Sequence, residues 1–227
     1  MNYILLIIVP MLLSMFVSYR FKNRFEKYLQ MPLSSGLSGA EVAQKMLHDC
    51  GITDVQVTGV DGQLTDHYNP ANKTVNLSPA VYSGRSVASA AVAAHECGHA
   101  VQHARAYGFL KFRSAMVPTL SVSSKFMPFL LMGGVLALSA TPWVLMVGVV
   151  LFSITTLFTF ITLPVEFDAT KRGLAWLETA NITRAGEEHE AAKNALSWAA
   201  RTYVVAALAS LGQLLYYASM LMGRSRD

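Results

Sequence analysis

Uncharged, apolar stretches occupy residues 4–19, 126–164 and 203–222, and a membrane-crossing helix needs about 20 such residues. The middle stretch is long enough for two crossings. It is divided at Ser139-Ala140-Thr141-Pro142, where proline cannot continue the preceding helix and small polar residues suit a turn. The pattern predicts four transmembrane helices. The first reads as an anchor rather than a cleavable leader, because no basic residues precede it and no small-x-small cleavage pattern lies before Arg20. A basic amphipathic stretch at 20–30 prolongs it into the membrane interface, and Met31-Pro32 ends it.

Between the apolar blocks the periodicity changes. Ser38 followed by Glu41, with Val42, Met46 and Leu47 at helical spacing, predicts a capped helix that runs to about Cys50 and stops at Gly51. Alternation over 55–60 predicts a strand, and 74–77 predicts a second one after a polar turn at 69–73. An alanine-rich run over 87–107 predicts a helix closed by Gly108, and so many small side chains imply close packing against neighbouring helices. Glu187, Glu188 and Glu190 mark a solvated face near a helix start.

Composition agrees with a lipid-solvated chain: 53% of the 227 residues are hydrophobic and only 14% charged. The net charge of +4 is accounted for by juxtamembrane bases that meet anionic head groups, with no need for nucleic acid. Arg20, Lys22, Arg24 and Lys27 follow the first apolar segment, so the positive-inside rule puts that end, and both polar regions, in the cytoplasm. Arg224 and Arg226 pull the other way, since a fourth crossing leaves them outside. Cys50 and Cys97 then lie on the reducing side, where a disulfide is not expected. Apart from Lys125, the spans hold almost no ionisable residue, which argues against a metal carrier.

His95-Glu96-Cys97-Gly98-His99 matches H-E-x-x-H inside the strongly helical run, the context that this motif requires. Residues four apart stand one turn above each other, so both imidazoles reach one ion. Glu96 is placed to take the proton of a zinc-activated water as it attacks a carbonyl. The alternative is a pair of core histidines beside an exposed carboxylate. A catalytic zinc takes three protein ligands and keeps a position open. The longer motif with a third histidine fails, because Gln102 and Arg105 stand where glycine and histidine are required. No aspartate or glutamate occurs between His99 and Glu166. Two membrane crossings return Glu166 to the side of the motif, which makes it the expected third ligand, an exposed interfacial anchor being the alternative.

Beyond this motif, the chain carries Asp66-His67-Tyr68-Asn69-Pro70, Leu77-Ser78, Gln102-His103, 163–169 and the 203–217 region in a pattern that resembles the YugP-type membrane zinc metallopeptidases. That family is distantly similar to the HtpX and CAAX-prenyl-protease gluzincins. The resemblance implies a membrane zinc peptidase, expected to hold one zinc per chain in a bacterial inner membrane, with its active site on the cytoplasmic side that the positive-inside rule assigns. It also implies a departure: the aspartate that supports the site four residues after the glutamate ligand is Thr170 here, and Asp168 is expected to take over behind a ligand histidine. His67 and Tyr68, near the predicted hairpin, are suggested as a wall of the substrate cleft, or else form an ordinary turn. By analogy with zincins, 74–78 is expected to be the edge strand that an extended peptide pairs with.

Other candidates follow from position. His103 lies one turn past His99, able to donate to the transition state or simply to pack. Tyr203 opens the last apolar helix, either to face the developing oxyanion or, preferably, to anchor at the interface. His48 and His189 are expected at the surface or in packing.

The chain is thus expected to be a mainly α membrane protein of about four transmembrane helices with a small cytoplasmic α+β zincin-like cap. The segments are an anchor and interfacial helix (1–30), the zincin-like region (31–115), a membrane hairpin (116–165), a cytoplasmic helical region with the third ligand (166–201) and a last transmembrane helix (202–227). The expected activity is a zinc metalloendopeptidase acting on a peptide or membrane-protein segment, with zinc preferred for two imidazoles and a carboxylate. An oligomer or a membrane partner protein is compatible with this. The rival is a non-proteolytic, zinc-stabilised scaffold in a membrane quality-control assembly, which the intact Glu96 disfavours.

Overall fold

The computed structural model describes residues 5–224. In chain order it contains α1 (Leu5–Leu29), α2 (Gly39–Asp49), β1 (Gln56–Gly59), β2 (His67–Asn69), β3 (Thr74–Leu77), α3 (Pro79–Tyr82), α4 (Val87–Ala104), α5 (Gly108–Leu136), α6 (Pro142–Thr179) and α7 (Glu187–Arg224). The chain divides into two compact units: the described residues up to 17, 111–163 and from 202 onward form one, and 18–110 with 164–201 form the other.

The first unit is the apolar one. Three helices among the described residues, α5, α6 and α7, are long and apolar enough to cross a membrane, against the four that the pattern predicts. Ile4, where the predicted first span begins, lies outside the described residues, as does Arg226. Large apolar side chains point away from the protein, Phe129 at 70% and Leu136 at 80% exposure, a surface that a hydrocarbon solvent accepts and water does not. Inside, Leu131, Leu145 and Phe152 cluster. The Thr156 and Ser210 hydroxyls meet at 2.8 Å, so each polar group is satisfied within the protein. Pro142 opens α6 at a position where its missing N–H costs nothing, and the predicted break at 139–142 is the α5–α6 turn.

The second unit is built around α4. Ser38 caps α2 as expected, its hydroxyl accepting from the Glu41 N–H while the Glu41 carboxylate accepts from the Ser38 N–H. The apolar face of α2 buries Val42, Ala43, Met46 and Leu47 against α4. The three strands pair in the order β1-β3-β2, with β1 parallel and β2 antiparallel to β3. This corrects the expectation that 74–78 is an edge: β3 is the central strand, fully buried, and β2 is one of the edges. β2 was hidden because three residues, His-Tyr-Asn, carry no alternation to detect. Its connection to β3 is tight, with Lys73 in the left-handed region at φ 53. Asp66 fastens it further, accepting from the backbone N–H and the hydroxyl of Ser78.

Other expectations shift by small amounts. α4 stops at Ala104 rather than at 107, because Ala106 turns to a positive φ of 54, and Gly108 begins α5 instead of closing α4. Glu188 is not a solvated face residue; it is buried at the start of α7 and accepts from the backbone N–H groups of Ser34 and Arg184. Glu166 does not follow the end of a membrane helix. It lies inside α6, which continues through Pro164 to Thr179. Both cysteines are free.

Candidate metal centre

Each face of α4 meets a different neighbour. Ser86 caps the helix by accepting from the Ser89 N–H. Alanines at 90, 91, 93 and 94, all fully buried, keep its surface thin enough for close approach. The Cys97 side faces α2, where the thiol donates to the Ala43 carbonyl at 3.5 Å. The Glu96 side faces β2. The side with His95, Gly98, His99 and Gln102 faces α6.

The α4–α6 contact is a backbone contact. A Cβ on Gly98 would sit 2.5 Å from the Ala169 carbonyl oxygen, and a Cβ on Gly173 would sit 2.9 Å from the carbonyl of Ala94. Only glycine permits this spacing at both points. Glu166, Ala169 and Gly173 are spaced by three and four residues, hence share one face of α6. The surface of α6 that touches α4 is therefore the surface that carries Glu166.

At this crossing Glu166 Oε2 lies 3.3 Å from His95 Nε2 and 3.6 Å from His99 Nε2. The candidate ligand atoms all lie within 4.8 Å of one another. The two rings stand edge to face at 4.8 Å between centroids. Side-chain exposures of 13%, 9% and 4% for His95, His99 and Glu166 make this a largely buried cluster. Burial pushes the His99 imidazole toward lower pKa, but the adjacent Glu166 carboxylate more than offsets this and holds it above its ordinary value. At their other edges, His95 Nδ1 lies 3.1 Å from the Thr170 hydroxyl and His99 Nδ1 lies 3.0 Å from Gln102 Oε1. With both Nδ1 atoms engaged, the two Nε2 atoms converge on the carboxylate. Four-coordinate zinc with bonds near 2.0–2.2 Å needs neighbouring ligand atoms roughly 3.4 Å apart. Two imidazoles and a carboxylate at the observed separations fit such an ion.

Glu96 is buried against β2, and its Oε2 accepts from the Tyr68 backbone N–H at 2.9 Å. Its negative charge also acts on His99. His103 turns away from the cluster: its Nδ1 is 2.7 Å from the Tyr68 hydroxyl. Both residues line a cavity of about 310 Å³ with Ile52, Asp54, Lys73 and Ala100. His67 is occupied within the sheet, Nδ1 lying 2.7 Å from the Thr65 carbonyl and Nε2 3.2 Å from Asn76. Asp168 touches no imidazole; it accepts from Arg172 Nε at 2.6 Å and from Gln102 Nε2 at 2.8 Å. Tyr203 belongs to the other unit and is 38% exposed.

Sequence reasoning missed two groups. Gln102 entered only as the residue that breaks the longer histidine motif, and Thr170 only as a departure from a related pattern. The available signal was spacing: Gln102 is three residues after His99 and Thr170 four after Glu166, so each falls on the face that already carries a ligand.

The family model described as "Putative neutral zinc metallopeptidase" matches residues 3–222. A Bacillus subtilis (strain 168) protein described as "Putative membrane protease YugP" is 42% identical over 227 residues, covering 100% of this chain and 99% of its own length. No solved structure matches the chain. With nearly its full length matched by that model and by that relative, and with H-E-x-x-H and a distant glutamate meeting at one buried point, the chain belongs to this family of membrane zinc metallopeptidases.

Proposed function

We propose that the protein is a membrane-embedded zinc metalloendopeptidase of the gluzincin type, with one zinc per chain held by His95, His99 and Glu166. The observation that carries this reading is the convergence of two imidazole nitrogens and a buried carboxylate oxygen within 4.8 Å, one helical position from Glu96. When bound, zinc supplies Lewis acidity that polarises the scissile carbonyl and lowers the pKa of water toward about 7.

Glu96 acts as general base and then as general acid. Its carboxylate takes a proton from the water that attacks the carbonyl carbon, and returns it to the amide nitrogen as the C–N bond breaks. The Tyr68 N–H holds one oxygen of that carboxylate, so the other is available for the proton. β2, rather than β3, is the edge strand beside Glu96, and the Tyr68 N–H on that edge is already taken by the carboxylate. The substrate is a peptide or membrane-protein segment, cleaved close to the cytoplasmic face of a bacterial inner membrane.

The test is turnover of an unfolded membrane-protein substrate by the purified full chain in detergent or lipid, native against Glu96→Gln. Loss of a general base is worth about 10²–10⁴-fold, so the variant is expected to keep its zinc and lose at least two orders of magnitude in rate. Equal rates in the two proteins would remove the peptidase reading.

A further inference from the structure

Gln102 is fully buried in the second unit, three residues past His99 on the face of α4 that meets α6. Its side-chain nitrogen donates to the Val165 carbonyl at 2.8 Å and to Asp168 Oδ2 at 2.8 Å. Its oxygen lies 3.0 Å from His99 Nδ1. The orientation of a glutamine amide is commonly ambiguous, since nitrogen and oxygen have the same shape. Here it is not. Both neighbours at the nitrogen end, a carbonyl and a carboxylate, can only accept, and an amide turned end for end would press its oxygen against both.

The consequence reaches the imidazole. An amide oxygen has no proton to give, so the contact with His99 requires the proton to reside on Nδ1. In the neutral imidazole the lone pair is then on Nε2, the atom that faces Glu166. Behind the amide, Arg172 Nε donates to the same Asp168 oxygen at 2.6 Å and holds that carboxylate in place. His95 is served differently: the Thr170 hydroxyl at its Nδ1 can donate or accept, and dictates no tautomer.

We infer that Gln102 is a positioning residue, an amide clamped by Val165 and Asp168 that fixes His99 as the Nδ1–H tautomer and so presents its Nε2 lone pair to the metal. The inference rests on the proposed metal centre at His95, His99 and Glu166. It assigns to an uncharged amide the orienting role that carboxylates commonly fill behind metal-ligating histidines. It also gives Asp168 its place, one link behind the histidine.

Two measurements on the full chain in detergent decide it. The first is zinc affinity by chelator competition, native against Gln102→Met, a swap of similar length that can neither donate nor accept. Loss of an orienting partner behind a metal ligand costs about 10–100-fold in affinity, and that weakening is expected in a variant with an unchanged circular dichroism spectrum. The second needs no variant to fold: ¹⁵N ring spectra of the native zinc-loaded protein, assigned by the signals lost in His99→Asn. They are expected to show a protonated Nδ1 on His99. Native zinc binding with a Gln102→Met affinity within about twofold, well below that range, or a His99 ring protonated at Nε2, would overturn the role of Gln102 and leave the metal centre standing. Native protein that binds no zinc would overturn the metal centre itself, and the inference with it.

Discussion

Two imidazoles present the same edge to Glu166, and each is held at its other edge by a different group. The Thr170 hydroxyl at His95 adapts to either tautomer, so its removal costs orientation but imposes no wrong protonation. Thr170→Val, nearly isosteric, is expected to weaken zinc binding by about tenfold or less, the low end of the range for such partners, as read by the same chelator competition. A loss larger than that of Gln102→Met would reverse the proposed order of the two supports. The pairing of His95 with His99 was legible at this scale because one turn of helix fixes their spacing. Glu166 was legible by a different route, the absence of any other carboxylate between it and His99. Thr170 and Gln102 were not, because their role exists only once α4 and α6 cross.

At the scale of elements, that crossing depends on two glycines. Gly98 and Gly173 each let the backbone of one helix rest on that of the other, and neither a carbonyl oxygen at 2.5 Å nor one at 2.9 Å leaves room for a methyl group. Gly98→Ala is expected to push α6 outward, destabilising the second unit by about 1–3 kcal/mol as overpacking does. Glu166 would be carried away from both histidines. Thermal unfolding and zinc content together check this: a variant that is as stable and as zinc-rich as the native protein would show that the helices can separate without harm. The capped helix α2, the strands β1 and β3 and the alanine-rich helix α4 could be read from local periodicity, which reports exposure along one element. The place of β3 in the centre of the sheet could not. Strand order depends on partners distant in sequence, and the partner β2 is too short to register. Glu166 likewise was expected just past a membrane hairpin that ends at 165, whereas α6 continues through Pro164 and carries it in its interior.

At the scale of the whole molecule, three long apolar helices and a unit with a buried polar cluster are parts of one chain. The basic residues between Arg20 and Lys27 predict that the polar unit is cytoplasmic. In a Lys45→Cys variant, made at an exposed position of α2, a membrane-impermeant maleimide is expected to label inverted vesicles and to spare right-side-out ones; the opposite pattern would reverse the orientation. Apolar content made the membrane character legible, since lipid selects on composition more than on detail. The most direct test of the central claim is anomalous diffraction at the zinc edge from crystals of the native protein grown with zinc. The account predicts one peak between α4 and α6, about 2.0–2.2 Å from His95 Nε2, His99 Nε2 and a Glu166 carboxylate oxygen. A peak elsewhere, or an ion bound by the histidines with Glu166 turned away, would contradict it.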